Sequence, residues 1–222
     1  SIESMAQINL FDGLVLLGSC DKIVPGMLMA AARLEMPAIF LNGGPMYPAS
    51  YCGRHYDGNI VTEAIGWKQQ GRIDEEEFRH IEDIAEPCPG SCAMLGTANT
   101  MSALSESLGM SLMGSSTIPA VLAARMAKGV ETGEKIVELV QKGVTTRDIL
   151  TEEAFENAVM HLLTMGGSTN GILHLQAIYH EAGLGELPLS VFDEFSRKIP
   201  QVASIYPASE FDICLLYTSP SP

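Results

Sequence analysis

Three chemically different side chains stand next to one another early in the chain: the thiol of Cys20, the carboxyl of Asp21 and the amine of Lys22. An apolar run over 14–17 precedes them, and a helix-forming run begins at Val24. This order predicts a buried strand that delivers all three groups to one turn. In open α/β sheets, ligands bind at the carboxyl ends of the strands, where such a turn lies. We therefore interpret the turn as part of a metal-dependent active site, although each residue alone is more often a buried thiol, a helix cap or a surface cation.

A second pair of thiols, Cys88 and Cys92, flanks a Pro-Gly turn ahead of a predicted helix. The N–H groups and the dipole of a helix N-terminus stabilise a thiolate. The Cys-x-x-x-Cys spacing alone is a weak metal signal, and no second Cys/His pair stands at the spacing that a tetrahedral zinc site requires. A cluster ligand from each of the two loops fits better, because iron–sulfur centres are held by thiolates.

Other polar residues are weaker candidates. The run 166–170 precedes a helix and could bind an anion such as a carboxylate through its N–H groups, with Ser168 and Thr169 as substrate contacts. A plain helix–helix turn is an equally good interpretation of this run. His55 is a weak candidate for substrate contact, in a polar loop. The histidines on predicted helices, which lack ligand spacing, are assigned packing or surface roles: His161, His174 and His180.

The elements that would position these groups follow an α/β pattern. Residues 13–19 and 37–42 predict strands and 25–35 predicts the helix between them, which makes a βαβ unit with parallel strands and a right-handed crossover. A polar loop should follow to about residue 59, and helices then dominate. Helices are predicted over 61–70, 97–109, 151–165 and 172–182. A further helix should begin at 74, and 118–142 should form one or two helices. A short helix that ends at 198 should follow a capping box at Ser190. The fold class is therefore α/β, a parallel sheet from βαβ units flanked by many helices.

Composition excludes several classes of protein. The 222 residues are 46% hydrophobic and 18% charged, which is typical of a globular chain with a sizeable core. The net charge of −14 without a basic cluster argues against nucleic acid as a partner. No apolar run reaches the roughly 18 residues of a membrane span. Five cysteines, an odd number, argue against a disulfide framework and favour reduced thiols in the cytoplasm.

Both ends of the chain are unusual. The sequence starts at Ser1 without an initiator Met or a signal-peptide pattern, and the run from Cys214 onward follows neither a helix nor a strand pattern. We therefore interpret the chain as a fragment. Residues 1–212 are predicted to form part of a cluster- and Mg-binding N-terminal α/β domain, and residues 213–222 a non-native tail.

Together, these residues resemble the dihydroxy-acid dehydratase and phosphogluconate dehydratase family, and dihydroxy-acid dehydratase most of all. The likeness runs from about residue 5 to about residue 210. It is carried by motifs that stand in the order of the family: 11–13, 20–31, 43–46, 88–92, 96–101 and 166–175.

The resemblance implies dehydration of a 2,3-dihydroxy carboxylic acid to a 2-oxo acid, a step of branched-chain amino acid biosynthesis. Cys20 and Cys92 match two of three cysteines that hold an Fe–S cluster, whose open iron acts as a Lewis acid on the 3-hydroxyl. The 2Fe-2S type is favoured over 4Fe-4S, and the sequence leaves the choice open. Asp21 matches a ligand of Mg2+. Lys22 matches a lysine that is carbamylated, so that it offers magnesium an oxygen and serves as a catalytic residue.

The same resemblance places essential parts outside these 222 residues. The third cluster cysteine and another magnesium ligand would lie upstream. A further carboxylate ligand and the serine base would lie downstream, in a β-rich C-terminal domain that is absent here. The chain alone is therefore expected to be inactive, whereas the full-length form should be a cytoplasmic homodimer that binds a small dihydroxy acid, with no nucleic acid or membrane partner.

Three alternatives stay open, and one of them is a truncated gene product without a function. The compact run 89–94 resembles sugar-acid dehydratases that act on an aldonate or phosphogluconate, whereas 151–175 resembles dihydroxy-acid dehydratase. A non-catalytic iron–sulfur or zinc-binding module would use Cys20, Cys88 and Cys92 for structure only. A comparison of substrates with the full-length protein separates the two dehydratases, and metal analysis with a dehydratase assay distinguishes the non-catalytic module. The active-site interpretation makes its own geometric prediction: the Cys20 and Cys92 sulfurs should approach each other beside Asp21 and Lys22.

Overall fold

The computed structural model describes residues 1–218. Its helices are α1 (Ile2–Asn9), α2 (Ile23–Leu34), α3 (Ile60–Gln69), α4 (Glu75–Ile84), α5 (Thr97–Ser107), α6 (Ala123–Lys142), α7 (Thr146–Ile149), α8 (Glu152–Met165), α9 (Asn170–Glu181), α10 (Leu189–Ser196) and α11 (Leu215–Thr218). Its strands are β1 (Leu14–Gly18), β2 (Ala38–Asn42), β3 (Ala49–Tyr51) and β4 (Arg54–Tyr56). The α/β fold class is confirmed, with a small parallel sheet and a small antiparallel one.

The predicted βαβ unit is present. β1 and β2 pair in parallel, with Leu14 opposite Ala38 and Gly18 opposite Asn42, and α2 connects them. Both strands therefore end at the same edge of the sheet, and the chain leaves that edge through the turn at 19–22. A single apolar core covers one face of this unit, where α2, α5, α8 and α9 pack together. Burial of such apolar surface is the main stabilising contribution to a fold of this kind.

The polar loop expected up to residue 59 contains a hairpin. β3 and β4 pair antiparallel, and the turn between them holds Cys52 at φ 49° and Gly53 at φ 73°. Two consecutive positive φ angles are typical of the tight turns that join twisted strands. The sequence pattern did not predict this hairpin, because Cys52 stands where an Asn or Asp usually precedes the Gly of such a turn. The hairpin packs beside α3 and α4, which form a small second core around Ile60 and Ile81.

Some predicted helix boundaries coincide with capping residues and others do not: the helix predicted from 118 begins only at Ala123. Thr151 accepts a hydrogen bond from the N–H of Ala154 and begins α8 as predicted, and Gly143 ends α6 in a left-handed conformation. The capping box predicted at Ser190 is wrong, because α10 already starts at Leu189 after Pro188 and has no side-chain cap. Pro188 stands at the N-cap position, where its side chain offers no acceptor to the first N–H groups of the helix.

The predicted tail begins in a packed segment. Ile213 is buried, and its N–H donates to the oxygen of Ala93 over 3.1 Å. The assignment of 213–222 as non-native stays a prediction, and residues 219–222 lie outside the described part of the chain. Among the residues described, no helix is both long enough and apolar enough to cross a membrane.

The imidazole of His161 on α8 should make stability depend on pH. Burial lowers the pKa of His161, although the charge of Glu106 opposes that shift. In the unfolded chain His161 binds a proton near pH 6.5, whereas in the folded chain it binds one only at a lower pH. The free energy of unfolding therefore falls as the pH drops below about 6.5. His161→Gln keeps a hydrogen-bonding group near Ser107 Oγ, which lies 3.1 Å from Nδ1.

Urea unfolding at about pH 7.5 and about pH 5.5 tests this effect. The wild type should lose more stability than His161→Gln, by up to about 1.4 kcal/mol per pH unit. Equal losses in both proteins would contradict the assignment of the pH dependence to His161.

Two glycines with positive φ should differ in their tolerance of alanine. Gly44, in the loop after β2, has φ 90°, and a Cβ there would overlap the backbone oxygen of Ile118. Gly53 has φ 73°, but a Cβ there would meet no atom within 4 Å. Gly44→Ala should therefore destabilise the fold by about 3 kcal/mol and Gly53→Ala by about 1 kcal/mol, since only the first adds overlap to backbone strain. Urea-unfolding midpoints measure both, and equal shifts would refute the difference.

Candidate metal centre

The turn that carries Cys20, Asp21 and Lys22 lies at the carboxyl end of β1. β1 ends at Gly18 and α2 begins at Ile23, so the three residues share one short connection, as the sequence predicts. The ammonium of Lys22 lies 3.1 Å from the Asp21 carboxylate, and the thiol of Cys20 donates to the same carboxylate over 3.7 Å. The hydrogen bond from Lys22 holds the pKa of Asp21 below its ordinary value. All three groups are accessible to solvent and therefore to a ligand.

The loop that carries Cys92 continues the same edge of the sheet. The N–H of Ser91 donates to Gly44 O over 2.9 Å, and the N–H of Met46 donates to Ser91 O over 2.8 Å. These bonds join the segment before Cys92 to the segment that follows β2. Since β1 and β2 end together, the two cysteine loops leave the sheet on the same side.

Asn99, in the first turns of α5, holds the Cys92 loop in place through hydrogen bonds. Its buried amide donates to the backbone oxygens of Cys92 and Met94 over 2.6 and 2.7 Å and accepts from the hydroxyl of Ser91. Sequence analysis missed this residue. The available signal was an Asn inside a helix of mostly small residues, where an amide needs a specific partner.

The two predicted cluster ligands influence each other electrostatically. Burial raises the pKa of the Cys92 thiol, and the nearby carboxylates of Asp57 and Glu86 raise it further. The charge of Cys20 acts in the same direction, so the two thiols lie within electrostatic reach. A thiolate at Cys92 is therefore unfavourable unless a cation accompanies it. The closer approach that a shared cluster requires stays a prediction.

Cys88 and Cys52 have different surroundings. Cys88 accepts a hydrogen bond from the N–H of Tyr47 over 3.3 Å, which gives its sulfur a structural partner. Cys52 is exposed in the turn of the β3–β4 hairpin. The family resemblance assigns neither residue as a cluster ligand, and Cys88 would bind metal only in the alternative of a non-catalytic module.

Ser168 joins two helices. Its hydroxyl lies 3.1 Å from the Thr97 hydroxyl, and its N–H donates to the Thr100 hydroxyl over 3.0 Å. The adjacent Gly167 has no room for a Cβ beside Leu162. This segment therefore binds the start of α9 to the start of α5, while Thr169 is exposed. A substrate contact for Ser168 and Thr169 stays a prediction.

His174 is buried on α9, which agrees with the packing role predicted for it, but its electrostatic surroundings were not predicted. The residue is 7% exposed, and its Nε2 atom is buried without a hydrogen-bond partner. Burial lowers the pKa of His174, and the charge of Lys22 lowers it further, while Asp21 opposes the shift. The imidazole therefore lies within electrostatic reach of the predicted magnesium ligands, on a helix that packs against α2.

A buried nitrogen without a hydrogen-bond partner, such as Nε2 of His174, lowers the free energy of unfolding by about 1–3 kcal/mol. A further polar group beside this nitrogen would therefore be favourable. Thiols are suitable ligands for an iron–sulfur cluster, and a carboxylate with a carbamate would suit magnesium. The residues present therefore fit both groups. Within residues 1–218, no three His, Cys, Asp or Glu side chains already converge into a complete metal site. The structure thus defines an α/β domain with a candidate metal centre at the carboxyl edge of its parallel sheet.

Comparison with known proteins gives this domain its family. The family model described as dihydroxy-acid/6-phosphogluconate dehydratase N-terminal matches residues 1–219. The chain is 49% identical to the dihydroxy-acid dehydratase of Halothermothrix orenii over 217 aligned residues. The aligned region covers 98% of this chain and 39% of that protein. It is 48% identical to the dihydroxy-acid dehydratase of Pyrococcus abyssi, with the same two coverages.

A third relative, the dihydroxy-acid dehydratase of Caldanaerobacter subterraneus, is 50% identical over 213 residues, with 96% of this chain and 38% of that protein covered. The chain therefore belongs to the dihydroxy-acid/6-phosphogluconate dehydratase family, as its motifs indicated. It spans about two fifths of the length of these relatives.

Proposed function

We propose that the full-length protein, meaning the product of the gene read through both ends of this sequence, is a hydro-lyase. It dehydrates a 2,3-dihydroxy carboxylic acid to a 2-oxo acid in branched-chain amino acid biosynthesis. The observation that carries the proposal is that the turn of Cys20, Asp21 and Lys22 and the loop of Cys92 leave the same edge of the parallel sheet, in a chain of this family. An approach of the two thiols close enough to share a cluster is part of the proposal. The relatives named dihydroxy-acid dehydratase support the choice of substrate.

The cofactors in this proposal are an Fe–S cluster, of the 2Fe-2S type, and Mg2+. Cys20 and Cys92 would hold the cluster, and Asp21 with carbamylated Lys22 would hold magnesium. When bound, these groups supply Lewis-acid activation of the 3-hydroxyl and an anchor for the substrate carboxylate.

The chain's own residues contribute orientation and charge. The Asn99 amide fixes the backbone at Cys92, so this thiol is held in place before any ligand binds. Asp57 is 4% exposed and adds negative charge near Cys92, which favours a cation there. Asp21 holds the amine of Lys22 in the turn, where it is accessible to dissolved CO2. Together these contacts preorganise one side of a site that other segments of the protein would complete.

The test uses the full-length protein, expressed from the extended gene and purified without oxygen. Iron, sulfide and magnesium are measured, and turnover is assayed with a branched-chain 2,3-dihydroxy acid and, separately, with an aldonate. Bound iron with turnover of the branched substrate supports the proposal. Preference for the aldonate would assign the protein to the sugar-acid dehydratases. Bound metal without turnover of either substrate would favour the non-catalytic module.

The same preparation tests assembly. The homodimer and the cytoplasmic location are parts of this proposal that follow from the family resemblance alone. Light scattering of the full-length protein measures its mass, and cell fractionation locates it. A monomer or a membrane-bound pool would contradict the corresponding part without affecting the activity.

A further inference from the structure

His55 and Asp212 form a pair outside the ligand set described above. The Nδ1 atom of His55 lies 3.2 Å from Oδ2 of Asp212. The Asp212 side chain is only 3% exposed, whereas that of His55 is 56% exposed. A buried carboxylate thus holds one edge of an imidazole whose other edge faces outward. Burial raises the pKa of Asp212, and the pairing with His55 opposes that shift.

The imidazole lines an open cavity of about 720 Å³. Its walls come from the β3–β4 hairpin and from the segment near the end of the described chain, and they include Arg54, Tyr56, Tyr206 and Phe211. The cavity therefore combines polar groups with an aromatic wall, which is common in sites for small molecules.

Backbone hydrogen bonds attach this cavity to the Cys92 loop. The N–H of Ile213, next to Asp212, donates to Ala93 O over 3.1 Å, and the N–H of Leu95 donates to Tyr206 O over 2.8 Å. The buried carboxylate of Asp57 acts electrostatically on both Asp212 and Cys92. The His55–Asp212 pair is therefore a neighbour of the predicted cluster ligand.

The pairing determines which nitrogen of His55 can exchange a proton with a ligand. A carboxylate at Nδ1 favours the tautomer with its proton on Nδ1, which leaves Nε2 free to exchange a proton with a bound molecule. A base or acid whose far nitrogen is oriented by a third group is the usual arrangement of a catalytic histidine.

We propose that His55 protonates the hydroxyl group that leaves C3 of the substrate, an assignment that rests on the proposed function. A base removes the proton from C2, and the electrons of that C–H bond form the C2–C3 double bond. The C3–O bond breaks, and its electron pair stays on the oxygen. Nε2–H of His55 gives that oxygen a proton, water leaves, and the resulting enol becomes the 2-oxo acid. The proton taken from C2 returns to His55 before the next cycle.

The charged and titratable groups around His55 come from the hairpin, from α3 and from the segment that ends at Asp212: Arg54, Tyr56, Asp57, Glu63, Tyr206, Glu210 and Asp212. Asp212 is the one of these whose carboxylate lies within hydrogen-bond distance of the imidazole, so it orients the ring.

The experiment compares leaving groups in the full-length protein. With the 2,3-dihydroxy acid, His55→Gln should lower kcat by roughly 10²–10⁴-fold, the usual contribution of a general acid. With the analogue that carries chlorine at C3, which leaves as chloride and needs no proton, the loss should stay below about tenfold. KM and bound iron should match the wild type. His180→Gln, an exposed histidine on α9, is the matched control and should change neither substrate's turnover.

Equal losses on both substrates, or a parallel loss of iron, would assign His55 a structural role and overturn the inference. Asp212→Asn keeps the shape of the partner and should lower kcat on the dihydroxy acid alone. The ring 15N spectrum of the wild-type protein gives an independent reading, because a neutral His55 protonated on Nε2 would also overturn it. A wild type without turnover overturns the proposed function together with this assignment, whereas an active wild type with an unaffected His55→Gln overturns only the assignment.

Discussion

Replacing Cys92 with Ser in the full-length protein should remove bound iron and dehydratase activity together. The Cys92 loop is already held by Asn99, so the change removes the sulfur while the backbone keeps its place. A serine hydroxyl is a poor substitute for a thiolate as a ligand of iron and sulfide. The loss of iron affinity should exceed the roughly 10–100-fold that follows when only an outer-shell partner is removed. Iron and sulfide analysis of the anaerobically purified variant measures it.

Cys88→Ser is the matched control, because Cys88 lies four positions away in the same loop. Its sulfur accepts the N–H of Tyr47, and a serine oxygen can accept the same bond. This variant should keep its iron, and so should Cys52→Ser in the exposed hairpin turn. If Cys88→Ser lost as much iron as Cys92→Ser, Cys88 would be a ligand and the assignment of roles in this loop would be wrong.

The strand–turn–helix unit around Cys20 could be predicted because its signals are local. An apolar run, a polar turn and a helix-forming run determine three consecutive elements, and the predicted strand 13–19 corresponds to Leu14–Gly18. The parallel pairing with 37–42 follows from the helix that joins the two strands. Such a unit places the Cys20 turn at the sheet edge without knowledge of the rest of the chain.

The surroundings of the site could not be predicted in the same way, because they depend on contacts between distant segments. The unpartnered nitrogen of His174 and the amide of Asn99 gain their significance from neighbours on other elements. The periodicity of one helix shows that a residue is buried but does not show what covers it. The pair of His55 and Asp212 joins residues 157 positions apart, and it depends on a hairpin that the sequence pattern did not indicate.

Replacing Lys22 with Arg should abolish turnover while leaving the iron content unchanged. The guanidinium keeps a positive charge beside Asp21, where the amine now lies 3.1 Å away, but it cannot react with CO2 to give a carbamate. The proposed magnesium site then loses an oxygen ligand and gains a fixed cation, which repels Mg2+. Turnover should fall by roughly 10²-fold or more, the scale seen when one electrostatic stabiliser is lost.

A spectroscopic readout separates carbamylation of Lys22 from a general loss of structure. Wild-type protein incubated with 13C-bicarbonate should show a carbamate signal that grows with added Mg2+, because a cation must replace the ammonium as the partner of Asp21. Lys22→Arg should lack this signal. Lys68→Arg, which alters a partly exposed lysine paired with Glu75, is the control and should keep both the signal and the activity. A wild type without a magnesium-dependent carbamate signal would exclude the carbamate role of Lys22, and the turn would then offer Mg2+ a single carboxylate, that of Asp21.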